Sequence, residues 1–134
     1  MYLESLNWLA IVAATVGAMV IGGIWYAPPV AGKKWMELTN FNEETAPKPG
    51  PTMLKATLAN FVVAIMLAGV LQRMDYEALI PGAVTGALFA VFLIGPAIYP
   101  NYAFEGRSMK LFAIHMGNTI LGLTVMGAIL GAWS

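Results

Sequence analysis

The sequence predicts an all-α integral membrane protein: four transmembrane helices, both termini outside, two cytoplasmic connections. Three observations lead there. Of 134 residues, 59% are hydrophobic and only 10% charged, against about 25% charged in a typical soluble domain. The charges are also confined, with no Asp, Glu, Lys or Arg in 5–32, 56–72, 78–104 or 111–134. A spanning helix needs about 20 such residues, because the hydrocarbon layer is about 30 Å thick and a helix rises about 1.5 Å per residue. Finally, the bases are placed unevenly. Lys33, Lys34, Lys48 and Lys55 lie between the first two runs and Arg107 and Lys110 between the last two, against Arg73 alone on the other side. Under the positive-inside rule both long connections face the cytoplasm.

The first helix is expected over 6–27. It does not read as a cleaved signal peptide, because its flank carries Glu4 and no lysine and its apolar stretch is too long. In the connection that follows, Lys33–Asn40 suits a short helix in the headgroup layer, with Trp35, Met36 and Leu38 dipping into the apolar region. Ala46–Pro51, "APKPGP", reads as a stiff non-helical linker. The second helix is expected over 53–72, reaching full length by snorkelling of Lys55 and Arg73. The third is expected over 79–98 with Pro81 in its first turn, where a missing N–H costs little. The fourth is expected over 109–133 with Ser108 as N-cap. Trp8, Trp25, Trp35 and Trp133 fall near the expected interfaces. All of 1–134 forms one membrane domain. A faint repeat relates "GIWYAPPVAGKKWM" to "IGPAIYPNYAFEGRSMK".

Lipid tails are as apolar as leucine, so such helices associate by close packing of small residues. Ala14, Ala18 and Gly22 serve this in the first helix; Ala56, Asn60, Ala64 and Ala68 in the second; Gly82, Gly86 and Ala90 in the third. On the fourth, Leu111, His115, Asn118, Thr119, Gly122 and Met126 share one face, while Ala113, Gly117, Thr124, Ala128 and Gly131 line the opposite one. Phe112, Met116, Leu123 and Leu130 lie between and suit lipid. Two packing faces fit an interior helix, or one that also docks on a partner: a second copy or a larger membrane complex.

His115 lies five residues past Lys110, and Asn60 five past Lys55. Both helices enter from the same side, so both polar groups sit about 7.5 Å inside their anchors, at matching depth. Asn118 and Thr119 continue the polar face, and Tyr26, Tyr99 and Tyr102 end other helices on this side. Three readings stand. The cluster is interhelical hydrogen-bond glue, contributing about 0.6 kcal/mol per bond. Alternatively it binds a small molecule or passes a proton, because intramembrane ionisable residues are functional candidates. Lastly, His115 could ligate a pigment or haem axially. No other cofactor and no metal is expected, since there is one histidine and no cysteine. Glu105 and Arg107 can pair in the turn before the last helix.

Seven basic against seven acidic residues give no nucleic-acid footprint. A phosphate loop, a histidine pair, a Ser–His–Asp set and a carboxylate inside a helix are all lacking, so an enzyme is not expected.

"WYAPPVAGKKWM" (25–36), "NYAFEGRSMKLF" and "VMGAILGAW" resemble a family of small bacterial membrane proteins, domain of unknown function 1761. Trp25, Tyr26, Pro28, Lys33, Trp35, Asn101, Tyr102, Glu105 and Arg107 carry the likeness and make a cytoplasmic-rim signature. The resemblance implies a four-helix protein of the bacterial cytoplasmic membrane and brings no activity with it. Two functions follow. The preferred one is a non-enzymatic accessory or scaffold subunit, whose assembly Gly117→Leu or Ala128→Leu disrupts. The alternative is a small oligomeric transporter or channel using Asn60, His115, Asn118 and Thr119.

Overall fold

A computed structural model describes residues 5–42, 44, 49–75 and 78–133; Glu4, Ala46–Lys48 and Ser134, used above, lie outside them. The elements are α1 (Trp8–Trp25), a π-helical turn (Pro28–Gly32), α2 (Lys33–Thr39), α3 (Pro49–Met74), α4 (Leu79–Phe89), a second π-helical turn (Ala90–Ile94), α5 (Gly95–Glu105) and α6 (Met109–Ala132). From α4 through α5 the chain is one apolar span, Leu79–Glu105. With α1, α3 and α6 this gives four helices long and apolar enough to cross a bilayer. The protein is a multi-pass membrane protein.

The third span runs past Ile98, its expected end, to Glu105 and carries Pro96 and Pro100. Proline removes a donor and its ring crowds the carbonyl four residues back. The wider π turn before Pro96, closed by the Gly95 N–H on the Ala90 carbonyl, accommodates that crowding. In lipid an opened backbone has no water to bond, so the helix persists through Pro100 as well. Likewise Pro49–Pro51 are not linker but the first turn of α3, where absent N–H groups leave nothing unsatisfied. The faint repeat has no local counterpart: one copy breaks after Trp25, while the other stays helical to Glu105.

Helix α6 is central. It packs most extensively on α4, then on α1, and also meets α3; α1 in turn packs on α3. The α4–α6 seam is backbone on backbone: a methyl on Gly82, Gly86, Gly127 or Gly131 would overlap a carbonyl oxygen of the facing segment. Such approach is what holds helices together where burial from water cannot. Surrounded on several sides, α6 buries Met116, Leu123 and Leu130, correcting their expected lipid exposure. Lipid instead meets Leu9, Val12, Val16, Val20 and Ile24 on α1, Leu58 and Val62 on α3, and Leu88 and Phe92 in the third span.

The ends are stitched by polar side chains. Asn7 caps α1, its Oδ1 accepting from the Ala10 N–H at 3.1 Å, while its Nδ2 donates to the Trp133 carbonyl at 2.9 Å. Gln72 Nε2 donates to Ser5 Oγ at 2.6 Å. The start of α1 and the ends of α3 and α6 therefore meet at one end of the bundle, leaving both long connections at the other. There Ser108 Oγ accepts from the Lys110 N–H at 3.1 Å, as expected of an N-cap. Gly106, with φ 65°, makes the left-handed turn between α5 and α6.

Candidate functional site

The site begins where α1 stops. Pro28 forces Ala27 into extended backbone, φ −65° and ψ 143°, so the chain leaves the helix at Tyr26 and turns across α6. Trp25 secures the crossing: its Nε1 donates to the Ile114 carbonyl at 2.8 Å, and its indole covers Gly117. The glycine on the expected partner-docking face is thus occupied inside the bundle, so Gly117→Leu breaks the fold rather than reporting on assembly. Gly82 and Gly86 also pack internally, a Cβ on Gly122 would stand 4.0 Å from the Ala18 methyl, and Ala128 is half-buried.

Tyr26 Oη lies 2.7 Å from His115 Nδ1. The phenol, just beyond the last residue of α1, is pushed up to about 12, first by burial and then by Tyr102. It is therefore protonated at ordinary pH and can donate to Nδ1, in which case a neutral imidazole carries its own proton on Nε2. On the other side of His115 stands Tyr102, ring centroids 6.2 Å apart, and the Arg107 guanidinium lies 4.4 Å over the Tyr102 ring. Phe112 touches both Tyr102 and Tyr99, while Trp35 bridges Tyr26 and Phe41. A row of rings, 5.2 to 6.2 Å apart, thus crosses this end of the bundle with His115 in its middle.

Beneath that row is a cleft of about 870 Å³ between α1, α3 and α6, roofed by Trp35, Met36 and Phe41. Asn60, His115, Asn118 and Thr119, which depth alone had grouped, all line it together with Tyr26 and Pro28. Their hydrogen bonds are divided between their own helices and neighbouring segments. Thr119 Oγ1 donates to the His115 carbonyl within α6 at 2.9 Å. Asn60 Nδ2 donates to the Ala56 carbonyl of its own helix at 3.0 Å and contacts Met19 Sδ at 3.3 Å. Asn118 Oδ1 is buried with no partner. Of these four, His115 alone forms a short oxygen–nitrogen bond to another segment, to Tyr26.

The remaining signature residues divide. Glu105 and Arg107 form the expected exposed pair at 3.7 Å, whereas Lys33 and Asn101 are exposed away from the cleft. Sequence reading missed the apolar wall, which includes Met19, Met36 and Met53. A signal for it was present: Met53, Ala56, Asn60 and Val63 form one stripe along α3. Among the described residues, no three His, Asp or Glu side chains gather as a metal centre would need.

A family profile described as "Protein of unknown function (DUF1761)" matches residues 9–131. The chain belongs to that family. The DUF1761 match spans all four membrane helices and contains both the rim signature and the cleft. It ties them together, since Tyr26 and Tyr102 from the signature flank His115 from the cluster. Neither the curated proteins nor the solved structures contain a match to the chain.

Proposed function

We propose that this DUF1761 protein is a non-enzymatic solute-binding membrane protein of the bacterial cytoplasmic membrane, working as a small transporter and assembling as an oligomer. The observation that carries this reading is the convergence of Tyr26, Asn60, His115, Asn118 and Thr119 on one cleft. A cavity of about 870 Å³ is within the range that holds small molecules, about 300–1,000 Å³. The polar end is the cytoplasmic one, on the bias of Lys33, Lys34, Lys55, Arg107 and Lys110 over Arg73. Four helices leave little room for a pathway of their own, which favours an oligomer for transport.

The scaffold reading is weakened, because both glycines of the suggested docking face are used inside the chain, Gly131 against Ala78 and Gly82 and Gly117 under Trp25. The two separate experimentally. Gly23 lines the cleft and has nothing within 4 Å of where a Cβ would stand, so Gly23→Leu obstructs the cleft with no contact for its Cβ to displace. A ligand present at 100 times its Kd stabilises by about 2.7 kcal/mol. Lipid extract of the native membrane should raise the melting temperature of the wild type in nanodiscs and leave Gly23→Leu unmoved. No rise for either, with a foreign subunit co-purifying stoichiometrically, would establish the scaffold instead. In proteoliposomes, any solute or proton flux should disappear in His115→Ala.

A further inference from the structure

The cleft's wall specifies what it takes. We propose that its ligand is an uncharged, membrane-soluble amphiphile, with a hydroxyl-bearing head bound at Asn118 and His115 and an apolar body lying along Met19, Met53 and Val63. This rests on the solute-binding reading and adds the chemical class.

Charge is the first argument. Among the described residues, none that lines the cleft is Asp, Glu, Lys or Arg. The described bases of the same end, Lys33, Lys34, Lys55, Arg107 and Lys110, all stand outside the cleft and exposed. An ionised head entering such a wall loses hydration without gaining a counter-charge, at a cost of several kcal/mol.

Hydrogen bonding is the second. A buried polar atom without a partner is destabilising, and Asn118 Oδ1 has none among the described residues. The opposing surface of α1 cannot serve it, since Gly22 presents no side chain there: a Cβ at that position would stand 3.7 Å from Oδ1. Asn60, by contrast, spends its Nδ2 on Ala56 and Met19. Tyr26 occupies His115 at Nδ1 and leaves Nε2 for another partner. The unspent groups are therefore an amide and one imidazole nitrogen on neighbouring turns of α6. A hydroxyl both donates and accepts, so with the His115 proton on Nε2 a single one satisfies the Asn118 carbonyl and that N–H together.

Shape is the third. The rest of the wall is apolar and carries three methionines, Met19, Met36 and Met53, from α1, α2 and α3. Thioether side chains are unbranched and polarisable and repack around irregular apolar bodies. Such a wall selects for hydrophobicity more than for one outline.

The test uses nanodisc-embedded protein, because detergents are themselves amphiphiles. Trp35 lines the cleft and Trp8 and Trp133 stand at the far end, so Trp8→Phe/Trp133→Phe protein concentrates the emission near the site. Three brominated long-chain probes of equal chain length are titrated: an alcohol, a carboxylate and a quaternary ammonium. The alcohol should quench saturably, Gly23→Leu should abolish saturation, and Asn118→Leu should weaken it at least tenfold. The charged probes should show only the linear quenching of molecules dissolved in lipid. Charged probes binding as tightly as the alcohol, or an alcohol affinity unchanged in folded Asn118→Leu, overturns the assigned class while solute binding stands. No saturable quenching with any probe overturns both.

Discussion

Adding one methyl group at Gly82 should cost this protein more than adding one at Gly23. At Gly82 the new Cβ overlaps the Gly127 carbonyl oxygen and stands 3.0 Å from its carbon and 3.1 Å from the Gly131 Cα. All of these are backbone atoms of α6, so no side-chain rotation relieves the contact and the helices must separate. Overpacking costs about 1–3 kcal/mol where side chains can adjust; against backbone the upper end applies, about 3 kcal/mol. At about 4 °C per kcal/mol for a chain of this size, the melting temperature of Gly82→Ala should fall by roughly 12 °C. Gly17→Ala meets only the Ile129 Cδ1 at 3.1 Å and the Val125 Cγ1 at 3.4 Å, both on side chains that can shift, and should lose much less. Gly23→Ala meets nothing and should stay within about 0.5 kcal/mol of wild type. Thermal unfolding followed by tryptophan emission ranks the three. Equal melting temperatures for Gly82→Ala and Gly23→Ala would refute the backbone-contact account of the α4–α6 seam.

Other outcomes follow from the rim. Tyr26→Phe removes the bond to His115 and should lower stability by about 1 kcal/mol. Because folding raises the Tyr26 phenol from 10.0 to about 12, its contribution is complete below pH 10.0 and is lost as pH rises through about 12; ultraviolet titration should show one late tyrosinate in the wild type that Tyr26→Phe lacks. Ser108→Ala should cost α6 about 1 kcal/mol through loss of its N-cap, again read by thermal unfolding. The chain has no cysteine, so Lys34→Cys and Asp75→Cys report sidedness directly. A membrane-impermeant maleimide applied to intact cells should label Asp75→Cys and spare Lys34→Cys.

The helices were legible because charge exclusion is a one-dimensional property: a run without Asp, Glu, Lys or Arg needs no tertiary information to be recognised. Matching depth below Lys55 and Lys110 likewise sufficed to group Asn60 with His115, which line the same cleft. What distance along the chain could not supply was rotation. The positions of Met116, Leu123 and Leu130 between two polar or small faces looked lipid-facing, whereas α6 is enclosed on those sides too. Proline was misjudged in the linker, where Pro49–Pro51 open α3 instead of preceding it. The third span outran its expected end because lipid penalises an opened backbone, so the Pro96 and Pro100 segment stays helical behind a π turn. Nor could Gly117 be assigned to a partner or to Trp25 without coordinates, since small-residue spacing is the same in both cases.

The measurement that reaches the central claim most directly is native mass spectrometry of the protein taken from its own membrane in nanodiscs, wild type beside Gly23→Leu. An occupied cleft predicts a discrete small-molecule adduct on the wild type that fragments as an uncharged hydroxyl-bearing amphiphile and is lost in Gly23→Leu. A wild type free of any adduct, or one whose adduct survives intact in Gly23→Leu, would contradict it.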